Sequence, residues 1–326
     1  MVEFEALRRL SATCGADPLL VQAAGGNTSI KDNGVMWIKA SGTWLRDAQA
    51  RDIFVPVDHG ALLAALAEND PACESCVAFL RNDLSGNGLR PSIETTVHAL
   101  MAQRVVVHVH CVNTIAWAIR ADAEQRLAER LAGFSWAFIP YARPGLTLAA
   151  AISQRLKPGI DVLVLGNHGL VVAAASVAEA EALLARAVTA LRRPARAALP
   201  GDAAAIEKIC QRTDYLPAAD PETHALATDP VALSRGREAV FYPDHVVFLG
   251  VGLATDLASN APLVAIPGKG VIVHKTAKPA VEPMGRCLAD VMRRVESDDP
   301  LIALTALDID RLINWDAEKY RQTLKT

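Results

Sequence analysis

The run from Arg104 to Cys111, which reads R-V-V-V-H-V-H-C, places the strongest constraint on this chain. Its β-branched residues predict a strand, and side chains two residues apart in a strand point to the same face. His108 and His110 would therefore leave the strand side by side. A buried imidazole needs a partner for each ring nitrogen, so this pair suits a divalent metal better than an apolar core.

A third histidine and a carboxylate could complete such a site. The apolar run Asp161–Leu165 is followed by Gly-Asn-His-Gly, which would present His168 at a strand end. Ser92 suits the N-cap of a helix and would place Glu94 in the first turn. Three histidines beside one carboxylate are the composition of a catalytic zinc site, with three protein ligands and one open position.

Some of these residues also fit ordinary structural roles. A carboxylate in a first helical turn is usually a partner of the helix dipole, and only the nearby histidines favour catalysis for Glu94. His98 lies four residues later on the same helix face, and a structural role fits it better than a fourth ligand position. His245 and His274 lie in apolar surroundings and suit core or surface positions.

Two turns of small residues flank a predicted hairpin. Asn33-Gly34 between two β-prone runs indicates the hairpin turn. The turn Gly25–Ser29 precedes the first arm, and Ser41–Thr43 follows the second. Their backbone N–H groups and hydroxyls could hold a phosphate or another oxyanion. Without the histidines, ordinary hairpin ends would be the better explanation.

Composition and charge argue against several classes of function. The 326 residues are 51% hydrophobic and carry a net charge of -3, with no basic block to favour nucleic acid or an acidic membrane surface. No apolar run reaches membrane-spanning length, and the N-terminus lacks a signal-peptide pattern, so we expect a cytoplasmic protein. Six cysteines, with one C-x-x-C at Cys73 and Cys76, suit structural thiols better than a disulfide framework.

The chain is long enough for one large domain or two. Pro194–Asp202 is typical of a linker, and we place a boundary there, between regions 1–195 and 196–326. In the second region, the patterns predict strands at Ala239–Leu249, Leu263–Ile266 and Val271–His274 and a helix at Glu282–Val295. Its Gly-x-Gly pairs are not completed as G-x-G-x-x-G before a helix, which argues against a dinucleotide site.

Taken in order, the motifs resemble those of the class II aldolase/adducin family. They are Gly26-Asn27-Thr28-Ser29, Ser41-Gly42, Pro91-Ser92-Ile93-Glu94, His108-Val109-His110 and Gly166-Asn167-His168-Gly169. The family includes fuculose-1-phosphate and rhamnulose-1-phosphate aldolases, ribulose-5-phosphate 4-epimerase and sugar-acid phosphate decarboxylases. The resemblance covers roughly residues 15–193.

Beyond the linker, the chain resembles more loosely the part that follows the aldolase motifs in bifunctional rhamnulose-phosphate aldolase/dehydrogenases. The similar segments are the Ile266–Gly270 turn and the Asn314–Tyr320 tail. Because the chain ends at Thr326, we expect no dehydrogenase domain to follow.

The resemblance implies an α/β fold, namely a class II aldolase-like α/β/α sandwich with a central mixed, mainly antiparallel sheet, plus a smaller α+β C-terminal region. It implies zinc, or manganese or cobalt instead, held by His108, His110 and His168, with Glu94 as acid/base. It also implies a homotetramer. The family positions that hold a substrate phosphate correspond to Gly26, Asn27, Ser41, Gly42 and Ser92.

This sequence departs from the sugar-phosphate aldolases in two ways. Ser92-Ile93 stands where these enzymes often have Ser-Ser, so the phosphate could be held differently or be absent. None of the four tyrosines aligns with the tyrosine that family aldolases use as an acid. The substrate, its stereochemistry and the general acid therefore stay open.

Four functions compete. The first is a metal-dependent aldolase that cleaves or forms a C–C bond of a ketose phosphate through a zinc-stabilised enediolate. The second is decarboxylation of a sugar-acid phosphate, or epimerisation of a pentulose phosphate, at the same site. A non-catalytic adducin-like module is disfavoured because all three histidines are present, and a three-histidine hydrolase or hydratase of another fold leaves the glycine turns unexplained. The C-terminal region could be a lid, an oligomer interface or only a stabilising appendage.

Overall fold

Seven strands form the main sheet of the computed structural model, which describes residues 2–84, 87–316 and 319. They are β1 (Asn27–Asp32), β2 (Val35–Lys39), β3 (Phe54–Asp58), β4 (Val105–Val109), β5 (Trp136–Ile139), β6 (Val162–Leu165) and β7 (Gly169–Ala174). Their order is β3-β2-β1-β4-β7-β6-β5. Only the β5–β6 pair is parallel. The prediction of a mixed, mainly antiparallel sheet is therefore confirmed.

Successive residues of β4 face opposite helical layers. The helices up to residue 190 are α1 (Val2–Ala16), α2 (His59–Ala67), α3 (Thr95–Leu100), α4 (Val112–Ala118), α5 (Ala123–Arg130), α6 (Leu146–Arg155) and α7 (Val177–Ala190). Val105, Val107 and Val109 pack with residues of α1, α5 and α7. Val106 packs with residues of α3 and α6. The predicted α/β/α sandwich is confirmed, and His108, which alternates with the first set, faces the α3 side.

Two hairpin turns bring the small-residue motifs to the sheet. Asn33 and Gly34 join β1 to β2 with φ angles of 48° and 80°, as the predicted Asn-Gly turn requires. Asn167 joins β6 to β7 with a φ of 54°, so that His168 projects from a tight turn. The antiparallel pairing of β1 with β4 sets Asn27 opposite His108.

After α7, residues 192–202 contain no helix or strand. The following elements are α8 (Ala203–Cys210), β8 (Tyr215–Pro217), α9 (Ala225–Thr228), α10 (Pro230–Glu238), α11 (Pro243–Leu249), β9 (Leu263–Ile266), β10 (Gly270–His274), α12 (Val281–Met292) and α13 (Ala306–Ile313). Strands β8, β10 and β9 form a second antiparallel sheet in that order. Short 3-10 helices occur at Leu45–Asp47, Pro71–Glu74, Val77–Phe79, Pro221–His224 and Leu257–Ser259.

The strand predicted at Ala239–Leu249 is wrong, because residues 243–249 form α11. The segment has the apolar run of a strand, but Pro243 occupies the first helical turn, where proline is well tolerated. The strand predicted at Leu263–Ile266 is confirmed with the same ends, and the strand at Val271–His274 and the helix at Glu282–Val295 are confirmed with shifted ends. Residues 317, 318 and 320 of the tail motif lie outside the described residues.

The region after residue 196 shares a hydrophobic core with the sandwich. Ile115 of α4 and Ile119, which follows that helix, belong to one buried cluster with Phe241, Met284 and Leu288. Within the described ranges, every helix is too short or too polar to cross a lipid bilayer. All six cysteines are free thiols, which agrees with the prediction of structural thiols.

A buried ionic group also joins the two regions. The carboxylate of Asp299 accepts hydrogen bonds from Arg120 and Arg193, and all three side chains are at most 10% exposed. Removal of one partner from a buried ion pair leaves uncompensated charge, which is strongly destabilising.

We therefore expect Asp299→Ala to lower the free energy of unfolding by about 3–5 kcal/mol, because the buried Arg193 would lose its counter-charge and Arg120 would keep only Asp122. Urea denaturation monitored by circular dichroism would measure the change. The matched control is Asp83→Ala, which removes the carboxylate from the exposed Arg81–Asp83 pair and should leave the midpoint unchanged. Equal effects of the two substitutions would mean that the buried ion pairs stabilise the fold no more than the exposed one.

Candidate metal centre

Four buried side chains converge beside β4. The ligand atoms of Glu94, His108, His110 and His168 all lie within 4.8 Å of one another. The two carboxylate oxygens of Glu94 lie 3.3 Å from Nε2 of His108 and 3.2 Å from Nε2 of His168. Nε2 of His110 lies 3.1 Å from Nε2 of His108. The structure thus brings together all four residues that the sequence singled out.

This donor set could hold a divalent metal ion. Three imidazole nitrogens are typical ligands of a catalytic zinc site, which keeps its fourth position open for substrate or water, and the Glu94 carboxylate lies beside them. Oε1 of Glu94 is buried without a hydrogen-bond donor, and it faces Nε2 of His168 at 3.2 Å. A bound cation would compensate such buried acceptors.

Backbone contacts fix the orientation of His108. Its Nδ1 lies 3.0 Å from the carbonyl oxygen of Leu170 on β7, so this nitrogen carries the proton and Nε2 is left as the acceptor. Gly169 allows this close approach, because a Cβ there would lie 2.5 Å from the carbonyl oxygen of Val109. The glycine after His168 is therefore required by packing between β4 and β7.

Glu94 occupies the N-cap position of α3 and not its first turn, so the predicted role of Ser92 as the cap is wrong. The Ser92 hydroxyl instead accepts a hydrogen bond from the Glu94 N–H at 3.3 Å. The Glu94 carboxylate reaches His108 on β4 at 3.3 Å. The side chain of Asn27 donates to Oε2 of Glu94 at 2.8 Å.

The polar neighbours of Glu94 keep it ionised. Burial would raise the pKa of this carboxyl, but the three histidines and the Asn27 amide outweigh burial and lower it to about 2. Burial lowers the pKa of His108, and it lowers the pKa of His168 to about 3. The carboxylate and the neutral imidazoles are the protonation states that bind metal.

His98 lies outside the cluster, as the structural interpretation predicts. Its ring bonds to the Ser29 hydroxyl at 2.7 Å and to the side-chain oxygen of Asn27. Asn27 is thereby held with its amide toward Glu94. His245 is buried and His274 is partly exposed, also as expected.

All five residues predicted to bind phosphate line one small cavity with Glu94, His110 and His168. They are Gly26, Asn27, Ser41, Gly42 and Ser92. The enclosed volume is about 20 Å³, which holds one water-sized occupant. The hydroxyl of Ser41 is buried without a hydrogen-bond partner.

Two charged residues that the sequence did not single out also line the cavity. Lys39 on β2 is 2% exposed, and its ammonium group donates to the carbonyl oxygen of Ala24 at 2.9 Å. The sequence feature that could have identified Lys39 is its charge in a position shortly before the Ser41-Gly42 turn. Asp244 on α11 places Oδ2 at 2.7 Å from Nδ1 of His110. No local pattern marks Asp244, because its position depends on how α11 packs against the sandwich.

Comparison with known proteins agrees with this architecture. The family model described as the class II aldolase and adducin N-terminal domain matches residues 13–193. A Bacillus subtilis (strain 168) protein named as the uncharacterized oxidoreductase YuxG is 30% identical over 169 residues. That match covers 48% of this chain but only 24% of the relative.

Two solved structures are similar to this chain. The N-terminal class II aldolase domain of a conserved protein from Thermoplasma acidophilum is 28% identical with a TM-score of 0.50, and the match covers 58% of this chain and 92% of that one. The L-fuculose-1-phosphate aldolase from Thermus thermophilus is 17% identical with a TM-score of 0.38, and that match covers 58% of this chain and 90% of the other.

Gly25 should be intolerant of any side chain, because a Cβ there would lie 2.8 Å from Nδ1 of His110 and 2.9 Å from the carbonyl oxygen of Gln22. We expect Gly25→Ala to lower the free energy of unfolding by about 1–3 kcal/mol, as overpacking does. The control is Gly133→Ala, whose Cβ would meet no atom within 4 Å. Thermal and urea unfolding would measure both, and an unaffected Gly25→Ala protein would refute the packing argument.

Proposed function

The chain belongs to the class II aldolase and adducin family, and we propose that it is a metal-dependent carbon–carbon lyase acting on a ketose phosphate or related hydroxy-keto compound. The observation that carries this proposal is the convergence of Glu94, His108, His110 and His168 within 4.8 Å. The superfamily includes lyases such as fuculose-phosphate aldolase. The aligned part of the curated relative is a quarter of its length, so its whole activity is not carried over.

Zinc is the metal that the donor set fits best, with manganese or cobalt as alternatives. His108, His110 and His168 would hold it through the nitrogens that face the cluster. When bound, the ion would act as a Lewis acid that stabilises negative charge on substrate oxygens. This chemistry removes the need for a Schiff-base lysine.

Glu94 is the group we propose to move the proton at the substrate carbon. Its pKa of about 2 makes it a carboxylate at neutral pH, so it can accept a proton without prior ionisation. The amide of Asn27 holds one carboxylate oxygen, which fixes the direction from which the other oxygen approaches the substrate. Burial at 4% exposure keeps water from competing for that proton.

The anionic end of the substrate would lie at the two glycine turns. The buried, unpartnered hydroxyl of Ser41 supports this placement, since it offers a donor toward the cavity. Gly26 and Gly42 line the same cavity, where their backbone N–H groups could hold an anion, and the nearby ammonium of Lys39 favours negative charge. Asn27 and Ser92 are already engaged by Glu94, and we propose that they act on the substrate mainly through that residue.

Decarboxylation of a sugar-acid phosphate or epimerisation of a pentulose phosphate is the second candidate. The observation that favours it is the cavity lining, which contains no tyrosine among the described residues. Family aldolases use a tyrosine as the acid at the aldehyde oxygen. Both alternative reactions can proceed with the same metal, histidines and Glu94, while a non-catalytic adducin-like role is disfavoured by the complete donor set.

We propose a cytoplasmic homotetramer with a small-molecule substrate and without a nucleic-acid or membrane partner. The net charge of -3 and the absence of a basic block support the exclusion of nucleic acid. Size-exclusion chromatography with light scattering would test the oligomeric state.

The first test is metal analysis of protein purified without chelator, together with a product screen. The screen would use dihydroxyacetone phosphate or dihydroxyacetone with short aldehydes. We expect about one zinc per chain and a condensation product. Release of CO₂ from sugar-acid phosphates, without condensation, would favour the second candidate. A protein that takes up no divalent metal would refute both.

Glu94→Gln should lower kcat by about 10²–10⁴-fold, because the neutral amide cannot accept the proton. Steady-state kinetics on the substrate identified by the screen would measure the loss, and the metal content would be determined for the same preparation. Glu68→Gln removes an exposed carboxylate at the end of α2 and is the matched control. Full activity of Glu94→Gln would contradict the assigned role.

His110→Ala should abolish stoichiometric metal binding, because it removes one of three nitrogen ligands. Mass spectrometry of metals in the purified variant would show this directly. His274→Ala, which alters a partly exposed histidine bonded to Thr276, is the control and should keep its metal. Undiminished binding in His110→Ala would remove this histidine from the proposed ligand set.

A further inference from the structure

We propose that Asp244 is a positioning residue of the metal centre, and that it holds His110 in the tautomer and orientation that metal binding requires. The inference rests on the proposed metal-dependent function and names a residue outside the family match at 13–193. It makes the region after residue 196 part of the centre and not only an appendage.

The Asp244 carboxylate contacts the outer nitrogen of the His110 ring. Oδ2 of Asp244 lies 2.7 Å from Nδ1 of His110, while Nε2 of the same ring faces His108 at 3.1 Å. Two bare acceptor atoms at 2.7 Å would repel each other, so we assign the proton to Nδ1. That leaves Nε2 with the lone pair that a metal needs. A carboxylate on the outer nitrogen of a metal-binding histidine fixes the ring and raises its basicity.

Gly25 lies close to the same nitrogen. A Cβ at this glycine would lie 2.8 Å from Nδ1 of His110, so a larger residue there would displace the ring. Gly25 and Asp244 therefore both limit the positions that the imidazole can adopt. His108, by comparison, has a backbone carbonyl on its outer nitrogen, at Leu170. The two histidines are thus oriented by different regions of the chain.

The fold fixes Asp244 in place. Its side chain is 6% exposed, in the first turn of α11, directly after Pro243. The segment before α11 is tied to the turn that carries His168, because the Asn167 amide donates to the carbonyl oxygens of Phe241 at 2.9 Å and Ile302 at 2.8 Å. The Asp244 carboxylate thus approaches His110 from a segment that is also hydrogen-bonded to the turn before His168.

The size of the effect follows from comparable carboxylate–histidine–metal arrangements. Loss of such an outer partner typically weakens metal affinity by about 10–100-fold. We expect Asp244→Ala to raise the zinc dissociation constant by this factor. Asp244→Asn should be milder, because its side-chain oxygen can still accept the Nδ1 proton.

The experiment measures zinc affinity of the full-length chain by competition with a chromophoric chelator, and records the visible absorption spectrum of the cobalt-substituted protein. Unfolding midpoints of each variant establish that the folded state is being compared. Asp298→Ala removes an exposed carboxylate in the same region and serves as the control. The cobalt spectrum should change in Asp244→Ala and stay unchanged in the control.

The outcomes separate the inference from the proposed function. If the unaltered protein binds zinc and Asp244→Ala binds it equally well, the inference is wrong and the proposed function stands. If Asp244→Asn loses as much affinity as Asp244→Ala while remaining folded, a hydrogen-bonding role is overturned. If the unaltered protein binds no divalent metal, the proposed function itself fails.

Discussion

The burial of one carboxylate among three imidazoles is the constraint on which the rest of this structure depends. Glu94 is 4% exposed, and isolation of such a charge from water is costly unless polar partners compensate it. The pairing of β1 with β4 supplies Asn27, and the pairing of β4 with β7 supplies the oriented His108. The order of the strands around β4 thus brings together the groups that compensate the charge of Glu94.

Sequence reasoning succeeded where the determinants are local. Alternation along β4 predicts that His108 and His110 lie together, and Asn33-Gly34 predicts its hairpin. It failed where tertiary packing decides. Glu94 occupies the N-cap position of α3 instead of its first turn, and its side chain makes no capping bond there but contacts the histidines. Asp244 could not be found, since residues 239–249 have the apolar pattern of a strand.

The division into regions 1–195 and 196–326 remains a prediction. Ile119 and Phe241 nevertheless belong to one buried cluster, and Asp299 neutralises Arg120 and Arg193 of the sandwich. The two regions therefore share both apolar and ionic interactions. Any separation at the linker would expose a charged group and part of a core together.

The dimensions of the cavity have a consequence for turnover. A space of about 20 Å³ holds an ion or a water molecule but not a sugar. Its walls include Pro144 and Pro243, so we expect a sugar phosphate to bind only after these walls separate. The apparent affinity would then be the intrinsic affinity scaled by the population of that open form. Residues remote from the metal centre would in this way influence the substrate concentration at which the proposed enzyme works.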